Sequence, residues 1–203
     1  MSKRAAFLDR DGVINSYVYN QEFGTVDSPN NPEEFLLLPG VRNAIVRFRN
    51  LGFLVVVVSN QPGIAKRKFS QEILDATTEK MHRLCDGCID AVYYCLHHPH
   101  AADKRYECDC DCRKPRPGLL LEAAAEWNID LAASVMIGDG LTDVMAGQRA
   151  GTRTILVGAR KCYVCAAMDE HRVTPDFCAT TLSEAVGIVE SLEMTVSQGS
   201  LQV

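Results

Sequence analysis

The chain has 203 residues, 47% hydrophobic and 23% charged, which supplies one full core and excludes a disordered or coiled-coil chain. With 21 Lys and Arg against 26 Asp and Glu, its net charge of −5 repels a polyphosphate backbone and argues against a nucleic-acid partner. No apolar run approaches the ~18 residues of a spanning helix, so no membrane role is expected.

Met1-Ser2-Lys3-Arg4 leads straight into the apolar run Ala5–Leu8 and leaves no room for a signal peptide, so a cytoplasmic protein is expected. Val41, Ala44, Ile45, Phe48 and Leu51 then recur at helical spacing, and Gly52 closes that helix. Phe53–Val58 reads as a second buried strand. Ser70 is placed to cap a helix with Ile73, Leu74, Thr77, Met81 and Leu84 on one face. Ala91–Tyr94 is a third strand, and Pro117 opens a helix carrying Leu120, Ala123, Ala124 and Trp127 inward. Ser134–Ile137 and Thr154–Val157 are further strands around a helix over Thr142–Ala150. A last helix puts Leu182, Ala185, Val186 and Val189 on one face. The expectation is a single domain over 1–192 and a loose tail over 193–203.

Strands that are apolar throughout and alternate with helices predict an α/β fold: a doubly wound, mainly parallel sheet with helices on both faces. Ligands of such sheets bind beyond the carboxyl ends of the strands. The first strand ends in Asp9-Arg10-Asp11-Gly12 and the second in Ser59-Asn60-Gln61. The third leads into a Cys/His-rich stretch closing on Arg113-Lys114, and the fourth into Gly138-Asp139-Gly140 with Asp143 beyond. Asp9, Asp11 and Asp139 can hold a hard divalent cation through oxygen, and Mg²⁺ suits a site that also takes phosphate.

Nine cysteines are an odd number, and in a reducing compartment their clustering points to metal rather than to bridges. Cys95-x-His97 and Cys110-x-Cys112 can each turn two ligands toward one tetrahedral Zn²⁺, a closed and structural donor set. Cys108 lies in the same phase, with His98 and His100 nearby, so spacing alone leaves the ligand choice open. Cys85, Cys88 and Cys178 read as small buried hydrophobes, and Cys162 and Cys165 as ordinary loop cysteines.

A D-x-D, a strand-end Ser, a Lys and a G-D-x-x-x-D in this order resemble the four motifs of the haloacid dehalogenase-like phosphohydrolases, over about residues 5–157. The resemblance implies that Asp9 attacks phosphorus to form an aspartyl-phosphate. It implies that Asp11 protonates the leaving alkoxide and then activates water. Mg²⁺ would be held by Asp9, the carbonyl of Asp11 and Asp139, and Ser59 and Lys114 would hold the phosphoryl oxygens. Asp143 would orient Lys114 or complete the metal shell. C-x-H followed by C-x-C-R-K-P resembles the zinc-containing subgroup that includes the D-glycero-D-manno-heptose 1,7-bisphosphate 7-phosphatases. There the ligands correspond to Cys95, His97, Cys110 and Cys112.

Neither gap between motifs is large enough for a cap domain: the first holds a loop over Ser16–Leu38, the second the metal loop. The open site leaves specificity to Asn15, Tyr17 and Asn20, to Asn60 and Gln61, and to Arg113, whose fork suits a second anion or hydroxyls. The implied substrate is a phosphorylated sugar, the heptose bisphosphate of lipopolysaccharide-core or nucleotide-heptose synthesis, cleaved at C7 by a monomer or small homo-oligomer. Gly140 departs from this pattern, standing where the heptose enzymes often carry a lysine. A histidinol-phosphate phosphatase is the alternative, which the run Arg113–Gly118 fits less well. A non-enzymatic phospho-acceptor switch is the third reading. Asp11 weighs against it, because a base beside the nucleophile shortens the life of an acyl phosphate.

Overall fold

Each strand marked in the sequence is apolar at consecutive positions and so has to be covered on both faces. The computed structural model describes residues 2–22, 24–159 and 162–199. In chain order the elements are β1 (Arg4–Leu8), β2 (Val18–Asn20), β3 (Thr25–Asp27), α1 (Val41–Asn50), β4 (Phe53–Asn60), α2 (Gln71–Leu84) and β5 (Ala91–Cys95). They continue with α3 (Gly118–Trp127), β6 (Val135–Gly138), α4 (Leu141–Ala150), β7 (Arg153–Val157), α5 (Cys162–His171), β8 (Phe177–Ala179) and α6 (Leu182–Gly199). Six strands form one sheet in the order β5-β4-β1-β6-β7-β8, and every pairing is parallel.

Alternation along the strands divides the core in two. Ala6, Leu8, Val55, Val57 and Ile137 pack on one face with α1, α2 and α6, through Ile45, Phe48, Met81 and Val186. Ala5, Phe7, Val56, Val58 and Met136 pack on the other with α3 and α4, through Leu119, Leu120, Ala123 and Ala146. This is the doubly wound arrangement the sequence predicts. No independent cap domain is present among the described residues.

Several local features differ from expectation. The Ser16–Leu38 stretch contains an antiparallel hairpin, β2 with β3, in which Tyr19 faces Val26. Strands of three residues are too short for alternation to be read from sequence. The same brevity hides β8, which extends the sheet past β7. Cys162 and Cys165 fall in α5 rather than in a loop, where Cys165-Ala-Ala-Met-Asp-Glu is a run rich in helix formers. Leu84 is 37% exposed, since α2 ends there and leaves the core at Met81. Ser70 takes the N-cap position with extended backbone, but its side chain makes no capping bond. Helix α6 runs on through Gly199, and residues 200–203 of the expected tail lie outside the described residues.

Candidate active site

The carboxyl ends of β1, β4 and β6 and the loop before α3 converge on one cleft of ≈ 380 Å³. Asp9, Asp11, Tyr17, Ser59, Asn60, Lys114, Asp139 and Asp143 line it. Asp9 stands directly beyond β1, and its N–H donates to Ile137 O at 2.9 Å, which holds it against β6. Asp139 directly follows β6, and Gly138 before it has no side chain because Asp143 fills that space: a Cβ there would lie 2.1 Å from Asp143 Cβ.

Lys114 is 3% exposed, and its ammonium is fully engaged. Nζ lies 2.9 Å from Asp9 Oδ1 and 2.5 Å from Asp143 Oδ1, and donates to Val58 O at 2.8 Å. Burial works against the charged lysine, but the Asp143 and Asp9 carboxylates outweigh it and hold Lys114 above its ordinary value. Asp143 is pushed up by burial, with the Lys114 charge opposing. Its second oxygen accepts the Gly140 N–H at 3.0 Å, so Asp143 links the lysine to the start of α4. Burial foremost, with the Asp9 charge, pushes Asp139 up to about 6.

Asp11 sits in a cradle of donors. Arg10 Nε and Nη2 reach its Oδ1 at 3.2 and 3.1 Å, Asn15 Nδ2 donates to Oδ1 at 2.9 Å, and Gln61 Nε2 to Oδ2 at 2.7 Å. Gln61 Nε2 also donates to Ser59 Oγ at 3.1 Å. Asn15 and Gln61 are buried, so their amides hold Asp11 instead of facing a ligand, contrary to the substrate contacts expected of them. Arg10 was not anticipated: its guanidinium, 1% exposed, lies 5.7 Å over the Tyr94 ring beneath the site. An arginine between two aspartates looks like solvated loop sequence, and only the fold shows it turning inward.

Of the other expected contacts, Tyr17 and Asn60 line the cleft, whereas Asn20 lies on the exposed hairpin. Arg113 donates from Nη1 to His97 O at 3.0 Å, which ties it to the Cys/His loop. Ser28, Thr142, Val164 and Ala167 line the cleft without any motif to announce them.

Asp9, Asp139 and Asp143 each offer an oxygen within 4.8 Å of the others. Three carboxylates against the single Lys114 ammonium leave a net negative cluster at low dielectric, an all-oxygen setting that fits a hard divalent cation. Beside it, Cys95, His97, Cys110 and Cys112 converge. Cys112 Sγ lies 3.2 Å from Cys95 Sγ, 3.3 Å from Cys110 Sγ and 3.3 Å from His97 Nδ1, and Cys95 Sγ lies 3.6 Å from Cys110 Sγ. Thiolates of one tetrahedral site with bonds of ~2.3 Å stand about 3.8 Å apart, so this set needs little adjustment to hold Zn²⁺. Cys108 is exposed and outside the group.

A family model described as HAD-hydrolase-like matches residues 111–185. The D-glycero-beta-D-manno-heptose-1,7-bisphosphate 7-phosphatase of Vibrio cholerae serotype O1 is 42% identical over 168 residues, 79% of this chain and 84% of the relative. The enzyme of the same name from Escherichia coli K12 is 42% identical over 153 residues, 74% of this chain and 76% of the relative. Among solved structures, D,D-heptose 1,7-bisphosphate phosphatase from B. bronchiseptica, complexed with magnesium and phosphate, superposes with a TM-score of 0.73. It is 29% identical and covers 93% of this chain and 98% of its own.

Proposed function

The chain belongs to the haloacid dehalogenase-like family of heptose-1,7-bisphosphate 7-phosphatases, and is a phosphatase by that membership. From this premise we propose that it hydrolyses the C7 phosphate of D-glycero-beta-D-manno-heptose 1,7-bisphosphate with the residues of the β1–β4–β6 cleft. The observation that carries the reading is the Asp9–Lys114–Asp143 array, in which a cleft-facing carboxylate lies 2.9 Å from a buried, ion-paired ammonium.

Asp9 attacks phosphorus through a carboxylate oxygen while the bond to the sugar oxygen breaks, giving an aspartyl-phosphate and a sugar hydroxyl. Asp11 supplies the proton to the leaving oxygen and then removes one from the water that cleaves the acyl phosphate. Lys114, Ser59 and the backbone N–H groups adjacent to Ser59 take the phosphoryl oxygens as charge moves onto them. Asp143 keeps Lys114 in place, and Arg10, Asn15 and Gln61 fix the plane of Asp11. Asp9, the Asp11 carbonyl and Asp139 would hold Mg²⁺, the ion present in the B. bronchiseptica complex. Magnesium offsets the repulsion between an anionic nucleophile and an anionic phosphate.

Cys95, His97, Cys110 and Cys112 would hold a structural Zn²⁺ that ties the loop before Arg113 and Lys114. Arg113 is left to meet the anion at C1 or the sugar hydroxyls. Comparing kcat/KM for the heptose bisphosphate and for histidinol phosphate tests the assignment, with the product identified by NMR. The first should exceed the second by about two orders of magnitude, since binding at the non-reacting end is expressed in kcat/KM. Faster histidinol phosphate turnover, or release of the C1 phosphate, overturns the substrate and leaves the chemistry standing.

A further inference from the structure

We propose that Tyr17 is a positioning residue for Asp139: its phenol fixes one carboxylate oxygen and so sets the affinity of the cleft for its divalent cation. The inference rests on the reading of Asp139 as a ligand of that cation.

Tyr17 stands just before β2, in the hairpin that forms a sheet of its own, and Asp139 just after β6 in the main sheet. The Tyr17 hydroxyl bridges the two by donating to Asp139 Oδ2 at 2.9 Å. The other two carboxylates of the cluster, Asp9 and Asp143, share Lys114, which makes no ion pair with Asp139. Asp139 therefore faces two neighbouring carboxylates with a phenol, not an ammonium, to hold it. Mg²⁺ demands near-ideal octahedral geometry at ~2.0–2.1 Å, so a ligand left to swing costs it more than it would a larger, more tolerant ion. With Oδ2 bonded to the phenol, the carboxylate is fixed for one-oxygen coordination.

The local sequence accommodates this bond. Gly12 has φ +82°, and a Cβ on it would lie 2.3 Å from Asp139 Oδ2 and 2.8 Å from Tyr17 Cε2. Any side chain at this position would wedge the phenol and the carboxylate apart. The glycine of D-x-D-G thus does more than turn the chain: it leaves room for the contact between the hairpin and the metal ligand.

The experiment uses Mn²⁺ as a paramagnetic probe, titrated by EPR into zinc-loaded protein without substrate. Tyr17→Phe should weaken Mn²⁺ binding about tenfold or more, the usual scale for removing a partner of a metal ligand. In turnover the lost rate should return as magnesium is raised. Tyr17 is 42% exposed, so thermal unfolding should not change. Tyr19→Phe, on the same hairpin but 61% exposed, should leave Mn²⁺ affinity intact. Asp139→Asn separates this inference from the reading beneath it. If Asp139→Asn abolishes Mn²⁺ binding and Tyr17→Phe does not weaken it, the role of Tyr17 is wrong. A raised substrate KM at unchanged Mn²⁺ affinity makes Tyr17 a sugar contact and overturns the inference too. An equal loss in Tyr19→Phe does so as well, by showing a general effect of the hairpin. If Asp139→Asn binds Mn²⁺ like the wild type, Asp139 is no ligand and the underlying reading fails.

Discussion

The Asn60 side chain and the Lys114 backbone are bonded in both directions. Asn60 Nδ2 donates to the Lys114 carbonyl at 3.0 Å, and the Lys114 N–H donates to Asn60 Oδ1 at 3.0 Å. One amide thus joins the end of β4 to the loop that delivers the lysine. Asn60→Ala leaves two backbone groups without these partners and should cost about 1–3 kcal/mol of stability. Urea denaturation beside kcat/KM checks this, and kcat should fall with the loss of lysine placement. An unchanged kcat would show that Asp143 and Val58 suffice to place the ammonium.

Asp9→Asn should abolish turnover while the fold and phosphate binding survive, because the amide is nearly isosteric but a poor nucleophile. Steady-state assay and calorimetric phosphate titration give the two readouts. Activity within about tenfold of wild type, ~1.4 kcal/mol in barrier, would remove Asp9 from the nucleophile's role.

Cys110→Ser should lower zinc content, melting temperature and activity together, the last through a loosened Lys114. Cys108→Ser should keep the metal, since Cys108 is exposed and stands outside the group of four converging ligands. Elemental analysis of protein purified without chelator decides, with about one zinc per chain expected. Active protein free of zinc refutes the assignment.

Asp139 predicts a pH dependence whose sign is fixed. Its carboxyl titrates at about 6 in the metal-free fold, against ~3.9 in an unfolded chain. The stability linked to that proton is fully present below ~4 and is lost as pH rises through about 6. The metal-free protein should therefore lose stability from pH 5 to 7, and Mg²⁺ should reverse the loss. Conversely, Mg²⁺ affinity should fall from pH 7 to 5, with proton release on binding that calorimetry in buffers of different ionisation enthalpy detects. A pH-independent affinity contradicts the shift.

The sequence made legible whatever depends on long apolar runs or on residue identity at strand ends. Ala5–Leu8 and Phe53–Val58 declare buried parallel strands, and Asp9, Ser59, Lys114 and Asp139 follow because the ends of such strands share one edge. The C-x-H and C-x-C steps announced a metal loop, but the choice of Cys95, His97, Cys110 and Cys112 over Cys108, His98 and His100 rested on resemblance, and the second step lies in a turn instead of on extended chain. Side-chain direction was not readable. Asn15 and Gln61 look like surface amides, and only the closure of β1 against β4 turns both onto Asp11. Arg10 is hidden by the same closure. Val164 and Ala167 reach the cleft because α5 packs against α4, a tertiary event with no local signal.

A zinc seated in the Cys/His knot would also govern how the protein behaves once that metal is removed. Three thiols held 3.2–3.6 Å apart lie within a small displacement of the ~2.05 Å at which two of them bond. With chelator in air, dioxygen can take two hydrogens from a pair of these sulfurs and leave a disulfide where a metal belonged. Stripping then becomes a covalent lesion, and adding zinc back cannot reverse it until a reductant reopens the bond. For a zinc-loaded knot, oxidation and metal loss would be one vulnerability, and the order of repair would be reductant first, zinc second.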